Sequence, residues 1–228
     1  MMPTLIRKIA DFIAHALLAA VAAIAIGFFV FADSAAKGKP RDTGEPADGI
    51  VVLTGVGTIL ADDPALNVRI EGSTRQPLRV VLDSRLRTPP AATILRPPGP
   101  NEAGGPVHVL CVAGTDPIRH GALMDAGAHV HELHVATDDG VDLRDVQTWL
   151  WERGLRRVLV EAGPRLLTHF LQAGFVDQVR IYTGAVNGGT GPSMAEWLQK
   201  LNFEQRIDRE LAVDAVLEAF VVPGPKRR

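Results

Sequence analysis

The chain has 228 residues, 46% of them hydrophobic, with 24 basic and 26 acidic side chains and one cysteine. A formal net charge of −2 provides no basic excess for a polyphosphate backbone, so we expect no nucleic-acid partner. A single cysteine excludes an internal disulfide, and no Cys/His spacing has the form of a structural zinc site, so we predict no metal. The length is that of one globular domain with an appendage.

Residues 12–32 form an apolar stretch in which His15 is the only ionisable side chain. At 1.5 Å per residue, a helix of this length spans the hydrocarbon core of a bilayer, which is about 30 Å thick. We therefore predict a membrane anchor in residues 1–36. Two alternatives stay open: a signal peptide cleaved near Ser34, and a buried soluble helix. Basic residues flank the stretch on both sides, so the sequence predicts no orientation.

Residues 37–47 mix proline, glycine and charge without an apolar period, which is typical of a linker. We place the folded body at 48–223 and a short tail at 224–228. In the body, short apolar runs alternate with amphipathic segments, which indicates an α/β fold with much parallel pairing. The predicted strands are 49–53, 78–82, 107–112, 157–160, 176–182 and 215–222, with a short alternating strand at His129 and His131. The predicted helices are 118–126, 143–152 and 165–172, each followed by a glycine suited to a left-handed cap (Gly127, Gly154, Gly174).

Ligands of α/β sheets bind beyond the carboxyl ends of the strands, so the residues there are candidates for a site. After the first predicted strand, the segment 54–64 contains two glycines that permit close backbone approach, followed by Asp62 and Asp63. The alternative is a tight turn in which one of these carboxylates caps a short helix. After the second, Ser84 and Arg85 have the chemistry to hold a phosphate monoester. The alternative there is an Asx-type turn at Asp83 with a solvated arginine.

The strand at 157–160 is followed by Glu161, Ala162, Gly163 and Pro164. Proline is favoured at the first position of a helix, and the free N–H groups of that helical turn form an anion site suited to a pyrophosphate. A carboxylate at the end of an apolar strand must be solvated, paired or used, so Glu161 is a candidate functional residue. A structural ion pair is the alternative for Glu161.

Three strings, in this order, resemble the reductase domain of the bacterial RibD family over about 48–223. They are GVGTILADDPALNVR from Gly55 to Arg69, QPLRVVLDSRLRTP at 76–89 and VLVEAGPRLLTHFLQAGFVDQV at 158–179, with a looser GGTGPS at 188–193. The resemblance implies a dihydrofolate-reductase-like, mostly parallel sheet with flanking helices and NADPH as cofactor. It also implies reduction of 5-amino-6-(5-phosphoribosylamino)uracil in riboflavin biosynthesis, and a homodimer, since family members are commonly dimeric.

The resemblance also assigns roles by motif position. Glu161, Leu66 and Arg69 would face the substrate, with Arg69 opposite its phosphate. Asp62 and Glu161 would be the catalytic residues, and Asp62 is our choice for assisting the developing charge. Hydride transfer requires the two reactants to be held face to face, and the cofactor carries the reactivity. The implied cofactor contacts are Thr58, Asp62, Ser84, Gly163, Pro164, Arg165, Leu166, Leu167, Thr168 and His169.

The chain departs from the family pattern in two places. The family domain normally opens with a strand, a Ser-Leu-Asp-Gly segment and an arginine-rich helix, whereas the hydrophobic stretch and linker stand here instead. The usual Glu-Gly-Gly is Glu161-Ala162-Gly163, which adds a methyl group where close cofactor approach is expected. Residues 1–55 weakly resemble the start of YdcF-like and SanA-like envelope proteins. We expect weakened NADPH binding, reduced turnover and a membrane-anchored body on the cytoplasmic side; the alternative is a non-catalytic, membrane-anchored nucleotide-binding or envelope protein.

Overall fold

The computed structural model describes residues 51–68, 76–96, 104–134, 140–184, 194–211 and 214–222. The predicted anchor at 12–32, the linker at 37–47 and the tail at 224–228 lie outside these residues. Within the described ranges, no helix is both long enough and apolar enough to span a bilayer. The anchor therefore stays a prediction.

A five-stranded parallel sheet forms the centre of the described fold, with the order β4-β3-β2-β1-β5. Its inner strands are runs of Val and Leu, and Val51, Leu53, Val80 and Val81 are fully buried. Burial on both faces is typical of parallel strands covered by helices, so the predicted α/β class is confirmed. The five strands are β1 (Val51–Gly55), β2 (Leu78–Leu82), β3 (Val107–Val112), β4 (His129–Leu133) and β5 (Val158–Val160).

Helices connect and cover these strands. Asp116 and Asp142 cap the second and third helices, since their carboxylates accept hydrogen bonds from the amides two residues later. The predicted glycine caps are confirmed, with φ of 92°, 70° and 70° at Gly127, Gly154 and Gly174. The helices are α1 (Val56–Asp62), α2 (Pro117–Asp125), α3 (Leu143–Glu152), α4 (Pro164–Gln172) and α5 (Ala195–Leu198), with a 3₁₀ turn at Thr93–Leu95.

The remaining described strands form a separate antiparallel sheet with the order β6-β8-β7, which the sequence analysis did not predict. It consists of β6 (Gln178–Thr183), β7 (Phe203–Leu211) and β8 (Asp214–Val221). Strand β7 was missed because its charged residues hide the β pattern, and because a bulge between Glu204 and Ile207 interrupts its register. The mostly parallel arrangement therefore holds for the five-stranded sheet alone.

Two apolar clusters form the core, one on each face of the parallel sheet. The larger lies under α3 and α4 and continues to the antiparallel sheet through Val179 and Ala219. The smaller lies under α2 and includes Cys111, which is fully buried. Side chains along β3 alternate between the two clusters, with Leu110 in the larger and Cys111 in the smaller. This packing fixes the strand ends at which the candidate site lies.

Candidate functional site

The carboxyl ends of β2, β1 and β5 lie side by side at one edge of the parallel sheet. Gly55 of β1 is in register with Leu82 of β2, and Leu53 is in register with Val160 of β5. The segments that follow these three strands therefore leave the sheet at the same edge. This is where ligands bind in α/β folds, and it is the edge at which the sequence placed its candidate residues.

Thr58 and Gly163, which are 105 residues apart in sequence, meet at this edge. The Gly163 amide donates a hydrogen bond of 3.1 Å to the Thr58 hydroxyl, so α1 is joined to the start of α4. A β-carbon on Gly55 would lie 3.0 Å from Cδ2 of Leu166, so the chain approaches α4 closely here. Thr58 thus holds the N-terminus of α4 in place, and its hydroxyl hydrogen can still be donated to a ligand.

The first turn of α4 presents two amides suited to an anion. Pro164 has no N–H, and the Leu167 amide donates to the Gly163 carbonyl at 3.3 Å. Arg165 and Leu166 therefore carry the amides that lack a partner within the helix. The Leu167 side chain is 2% exposed and packs in the core, so it offers nothing to a cofactor.

Further along α4, two residues implied as cofactor contacts lie away from its N-terminus. The Thr168 hydroxyl contacts the Met194 sulfur at 3.7 Å, and His169 lies in the last turn of the helix. The structure thus places Gly163 and the two amides after Pro164 at the N-terminus of α4, and Thr168 and His169 further along the helix; the cofactor contacts themselves stay a prediction.

Glu161 directly follows β5, and its amide donates to the Leu53 carbonyl at 2.8 Å. Its side chain reaches the surface, but partial burial raises the pKa of its carboxyl group. Among the described residues, it forms no salt bridge, so the ion-pair alternative is not supported. The methyl group of Ala162, expected near a cofactor, packs against the larger core cluster.

The two neighbouring aspartates after β1 differ in their surroundings. Asp63 has a left-handed backbone (φ 43°), and its carboxylate accepts hydrogen bonds from the Thr93 amide at 2.7 Å and hydroxyl at 2.6 Å. These bonds lower the pKa of Asp63. Asp63 thus fixes the 3₁₀ turn and has a structural role. Asp62 is exposed at the end of α1, and no contact within the described residues occupies its carboxylate.

Ser84 and Arg85 border a cleft of about 380 Å³ at the ends of β2 and β3. The Val141 amide donates to the Ser84 hydroxyl at 3.2 Å, while Arg85 is exposed. Next to them, Asp83 is fully buried and accepts hydrogen bonds from both the amide and the hydroxyl of Thr88. The Asp83 carbonyl accepts from the Leu86 amide in a turn, while its carboxylate is bound by Thr88 five residues further on, so the Asx-type turn itself stays an alternative. The other lining residues are Val112, Ala113, Gly114, Thr115 and Asp116.

The loop after α1 contains Leu66, which is half-buried and has φ of 49°. Arg69, predicted opposite the substrate phosphate, lies outside the described residues. Two side chains that sequence reasoning missed, Gln76 and Arg79, bind this loop through its backbone. The position of Arg79 in the sequence could have indicated these contacts, since a charged residue inside the apolar run of β2 requires buried partners.

Comparison with known proteins gives the family. The model of the RibD C-terminal domain matches residues 44–212. The chain is 32% identical over 185 residues to the 2,5-diamino-6-ribosylamino-4(3H)-pyrimidinone 5′-phosphate reductase of Archaeoglobus fulgidus, covering 74% of this chain and 80% of that protein. It is also 32% identical over 145 residues to the riboflavin biosynthesis protein RibD of Bacillus amyloliquefaciens, covering 63% of this chain but 37% of that protein.

Solved structures agree with these relatives. RibD of Acinetobacter baumannii superposes with a TM-score of 0.53 and 27% identity over 77% of this chain and 47% of that chain. The riboflavin biosynthesis reductase of Saccharomyces cerevisiae superposes with a TM-score of 0.55 and 20% identity over 77% of this chain and 76% of that one, a likeness that shows the fold.

The predicted family and the predicted oxidoreductase class are confirmed by these findings, and reductases of this kind imply a nicotinamide cofactor. The chain spans less than half the length of the RibD proteins it matches, and most of the length of the archaeal reductase. Because the family model extends over most of the folded body, the chain belongs to the RibD C-terminal domain family.

Proposed function

We propose that the protein is an NADPH-dependent reductase that acts on 5-amino-6-(5-phosphoribosylamino)uracil in riboflavin biosynthesis. The observation that carries this proposal is the junction between Thr58 and Gly163, which joins the ends of β1 and β5 into one site. The archaeal relative is named for a ribosylaminopyrimidine 5′-phosphate, so its substrate shares a ribosylamino group and a 5′-phosphate with the one proposed here.

The described residues fit a dinucleotide phosphate. The amides of Arg165 and Leu166 at the start of α4 suit a pyrophosphate, and the Thr58 hydroxyl lies beside them through its bond to Gly163. The guanidinium of Arg85 at the cleft suits the additional 2′-phosphate that distinguishes NADPH from NADH. When bound, the cofactor supplies a hydride.

Reduction at the ribosyl C1 breaks the bond to the ring oxygen, so that oxygen needs a proton. The proton comes from solvent, and we assign its transfer to Asp62, whose exposed carboxylate can take it up because no structural contact occupies it within the described part of the chain. Glu161, at the adjacent strand end, would orient the substrate. Partial burial raises the pKa of its carboxyl group above that of an ordinary glutamate.

The remaining parts of the proposal concern assembly and place in the cell. We propose that residues 12–32 anchor the protein with its body on the cytoplasmic side, where NADPH is available, and that the body forms a homodimer. We also propose reduced turnover, because the hydrophobic stretch and the linker stand where the family domain normally has a strand and an arginine-rich helix. A reporter enzyme fused after Arg228 should be active only in the cytoplasm, and sedimentation in detergent should give a dimer mass.

NADPH binding by the full chain in detergent micelles, followed by cofactor fluorescence, tests the site. We expect Thr58→Val to weaken binding about 3- to 10-fold, because the hydrogen bond to the α4 terminus is lost. The matched control is Thr148→Val, whose hydroxyl donates to the Arg144 carbonyl on an exposed face. No binding at millimolar NADPH by the unaltered chain would overturn the cofactor assignment.

Turnover of the phosphoribosylaminouracil tests the substrate side. We expect Glu161→Gln to lower kcat/KM by about 10- to 100-fold with NADPH affinity unchanged, because the carboxyl group would act on the substrate alone. Glu152→Gln, at the exposed end of α3, is the matched control. Equal loss of NADPH affinity in Glu161→Gln would contradict this role.

A further inference from the structure

Asp83 is a fully buried acid at the carboxyl end of β2, directly before two residues that line the cleft, Ser84 and Arg85. Its Oδ2 accepts hydrogen bonds from the Thr88 amide at 2.6 Å and from the Thr88 hydroxyl at 2.7 Å. Its Oδ1 is buried and has no hydrogen-bond partner among the described residues, where Asp83 also forms no salt bridge. A buried carboxylate without a counter-ion is costly, so its presence here requires an explanation.

This carboxylate closes a turn that contains an unfavourable backbone conformation. The Asp83 carbonyl accepts a hydrogen bond of 3.1 Å from the Leu86 amide, and Leu86 has φ of 51°. A left-handed conformation is unfavourable for a leucine, and it persists only where surrounding contacts determine it. The Leu86 side chain is buried in the smaller cluster, and the bonds from Thr88 to Asp83 join the two ends of the turn. The turn at 83–88 is therefore fixed on both sides of Leu86.

The cleft beside this turn suits an anion. Among its lining residues, Ser84 has a hydroxyl and Arg85 has a guanidinium. Asp116 is the one acid among the described lining residues, and both of its carboxylate oxygens are engaged. Its Oδ1 accepts from the Ile118 amide at 2.9 Å, and its Oδ2 lies 3.7 Å from Nε of Arg119. A phosphate monoester in the cleft would thus meet hydrogen-bond donors and no unpaired carboxylate.

We propose that Asp83 and Thr88 are positioning residues that hold Ser84 and Arg85 in the arrangement that binds a phosphate monoester, and that they thereby set the preference for NADPH over NADH. For the identity of the ligand, this inference rests on the proposed function, which assigns the 2′-phosphate to Arg85. The two dinucleotides differ only in that phosphate, so a residue that acts through the turn changes the affinity for NADPH alone. A turn that is fixed before binding also loses less conformational entropy when the ligand binds.

The variant Thr88→Val tests this role in the full chain in detergent micelles, because it removes the hydroxyl and keeps the size and the amide. We expect the Kd for NADPH to rise about 3- to 10-fold and that for NADH to change by less than about twofold. Thr88→Ser keeps the hydroxyl and should restore the affinity for NADPH. The matched control is Thr93→Val. Thr93 donates its amide and hydroxyl to Asp63 in the same way but does not line the cleft, so both constants should stay unchanged.

A double-mutant cycle separates positioning from a general effect on stability. Arg85→Gln should by itself remove most of the preference for NADPH. In that background, Thr88→Val should change the Kd for NADPH by less than about twofold, because the group through which it acts is gone. Additive losses in the double variant would overturn the positioning role. Equal weakening of NADPH and NADH binding in Thr88→Val alone would also overturn it.

Adenosine 2′-monophosphate is a probe of the cleft that needs neither the nicotinamide nor turnover. By calorimetry, the unaltered chain should bind it more tightly than adenosine, and Thr88→Val should reduce this difference. If the unaltered chain binds neither dinucleotide, the proposed function fails, and a Thr88-dependent difference between these two probes would still support the positioning role. Equal affinity of the unaltered chain for the two probes would overturn this inference, whichever cofactor the protein uses.

Discussion

The two sheets of this protein are built and used differently. In the parallel sheet, strands β1 and β2 are buried on both faces, and the segments that follow their carboxyl ends contain Thr58 and Ser84. In the antiparallel sheet, β7 pairs with β8, but its side chains from Glu204 to Glu210 are exposed. Every predicted site residue in the described ranges follows a parallel strand or lies in the loop after α1, and none lies in the antiparallel sheet.

The difference has a physical cause. Parallel strands all end at the same edge, so residues far apart in sequence meet there, whereas antiparallel neighbours alternate their ends. The antiparallel sheet also depends more on charge, since Glu218 on β8 is 14% exposed and contacts both Arg180 and Arg209. The expected consequence is that apolar truncation damages the parallel sheet most and that charge removal acts mainly on the antiparallel sheet.

Truncation of the parallel core should produce the largest effect. Leu110 on β3 is fully buried in the larger cluster, so Leu110→Ala should lower the free energy of unfolding by about 2–5 kcal/mol through lost burial and a new cavity. Ile207 on β7 is 48% exposed, so Ile207→Ala should change it by less than about 0.5 kcal/mol. Urea unfolding measures both. Equal losses would contradict the contrast between the sheets.

The second largest effect on stability should come from acid, which acts on three histidines of β3 and β4 at one edge of the parallel sheet. Nδ1 of His108 lies 2.8 Å from Nε2 of His131, and its ring also stacks on His129 at 4.9 Å. Burial, with the charges of His131, His129 and Arg153, lowers the pKa of His108 from 6.5 to about 4. The unfolded chain therefore takes up this proton first, so the stability that His108 contributes is complete above pH 6.5 and is lost as the pH falls towards 4.

The variant His108→Phe keeps an aromatic ring and removes the titration. Between pH 7 and pH 4.5, its urea midpoint should fall less than that of the unaltered chain, because the variant no longer has the His108 side chain, whose protonation favours the unfolded state. His120→Phe on α2 is the control, and it should follow the unaltered chain. Identical pH dependence of His108→Phe and the unaltered chain would show that the stack does not oppose protonation.

Charge removal in the antiparallel sheet should have a smaller effect. Glu218→Gln removes the partner of Arg180 and Arg209 at a half-buried position, and should lower the free energy of unfolding by about 1–2 kcal/mol. Molar salt should reduce the stability of the unaltered chain and leave that of the variant nearly unchanged. A loss as large as that of Leu110→Ala would mean that this sheet is the more sensitive of the two.

The smallest effect should come from the exposed pair on β7. Arg206 and Asp208 form two hydrogen bonds of 2.8 and 2.9 Å, but both side chains are more than half exposed. Water and salt screen such a pair, so Asp208→Asn should leave the urea midpoint unchanged within error. A clear shift would show that β7 packs against a surface that covers it.

Much of the parallel half followed from local sequence. The bounds of β2, β3 and α3 agree with the prediction residue for residue, because each is an uninterrupted apolar or amphipathic period ended by turn residues. Helix α1 was not predicted, since two glycines obscure its period; the alternative was a tight turn with Asp62 or Asp63 capping a short helix, whereas Asp63 follows the end of α1. Strand β7 was not predicted at all, because its stability depends on pairing with β8 and its own residues are charged.

The sequence by itself determined the family, the α/β class and the strand ends at which Thr58, Ser84 and Glu161 lie, because these depend on periodicity and on short motifs. Only the tertiary structure decided that Asp63 is structural, that the Leu167 side chain belongs to the core, and that the methyl group of Ala162 packs against it. The tertiary structure alone revealed the hydrogen bonds from Arg79 to the carbonyls of Ala65 and Gly105, which are 14 and 26 residues away from it in sequence. Hydrogen bonds between distant backbone segments leave no periodic pattern, so a sequence read residue by residue cannot contain them.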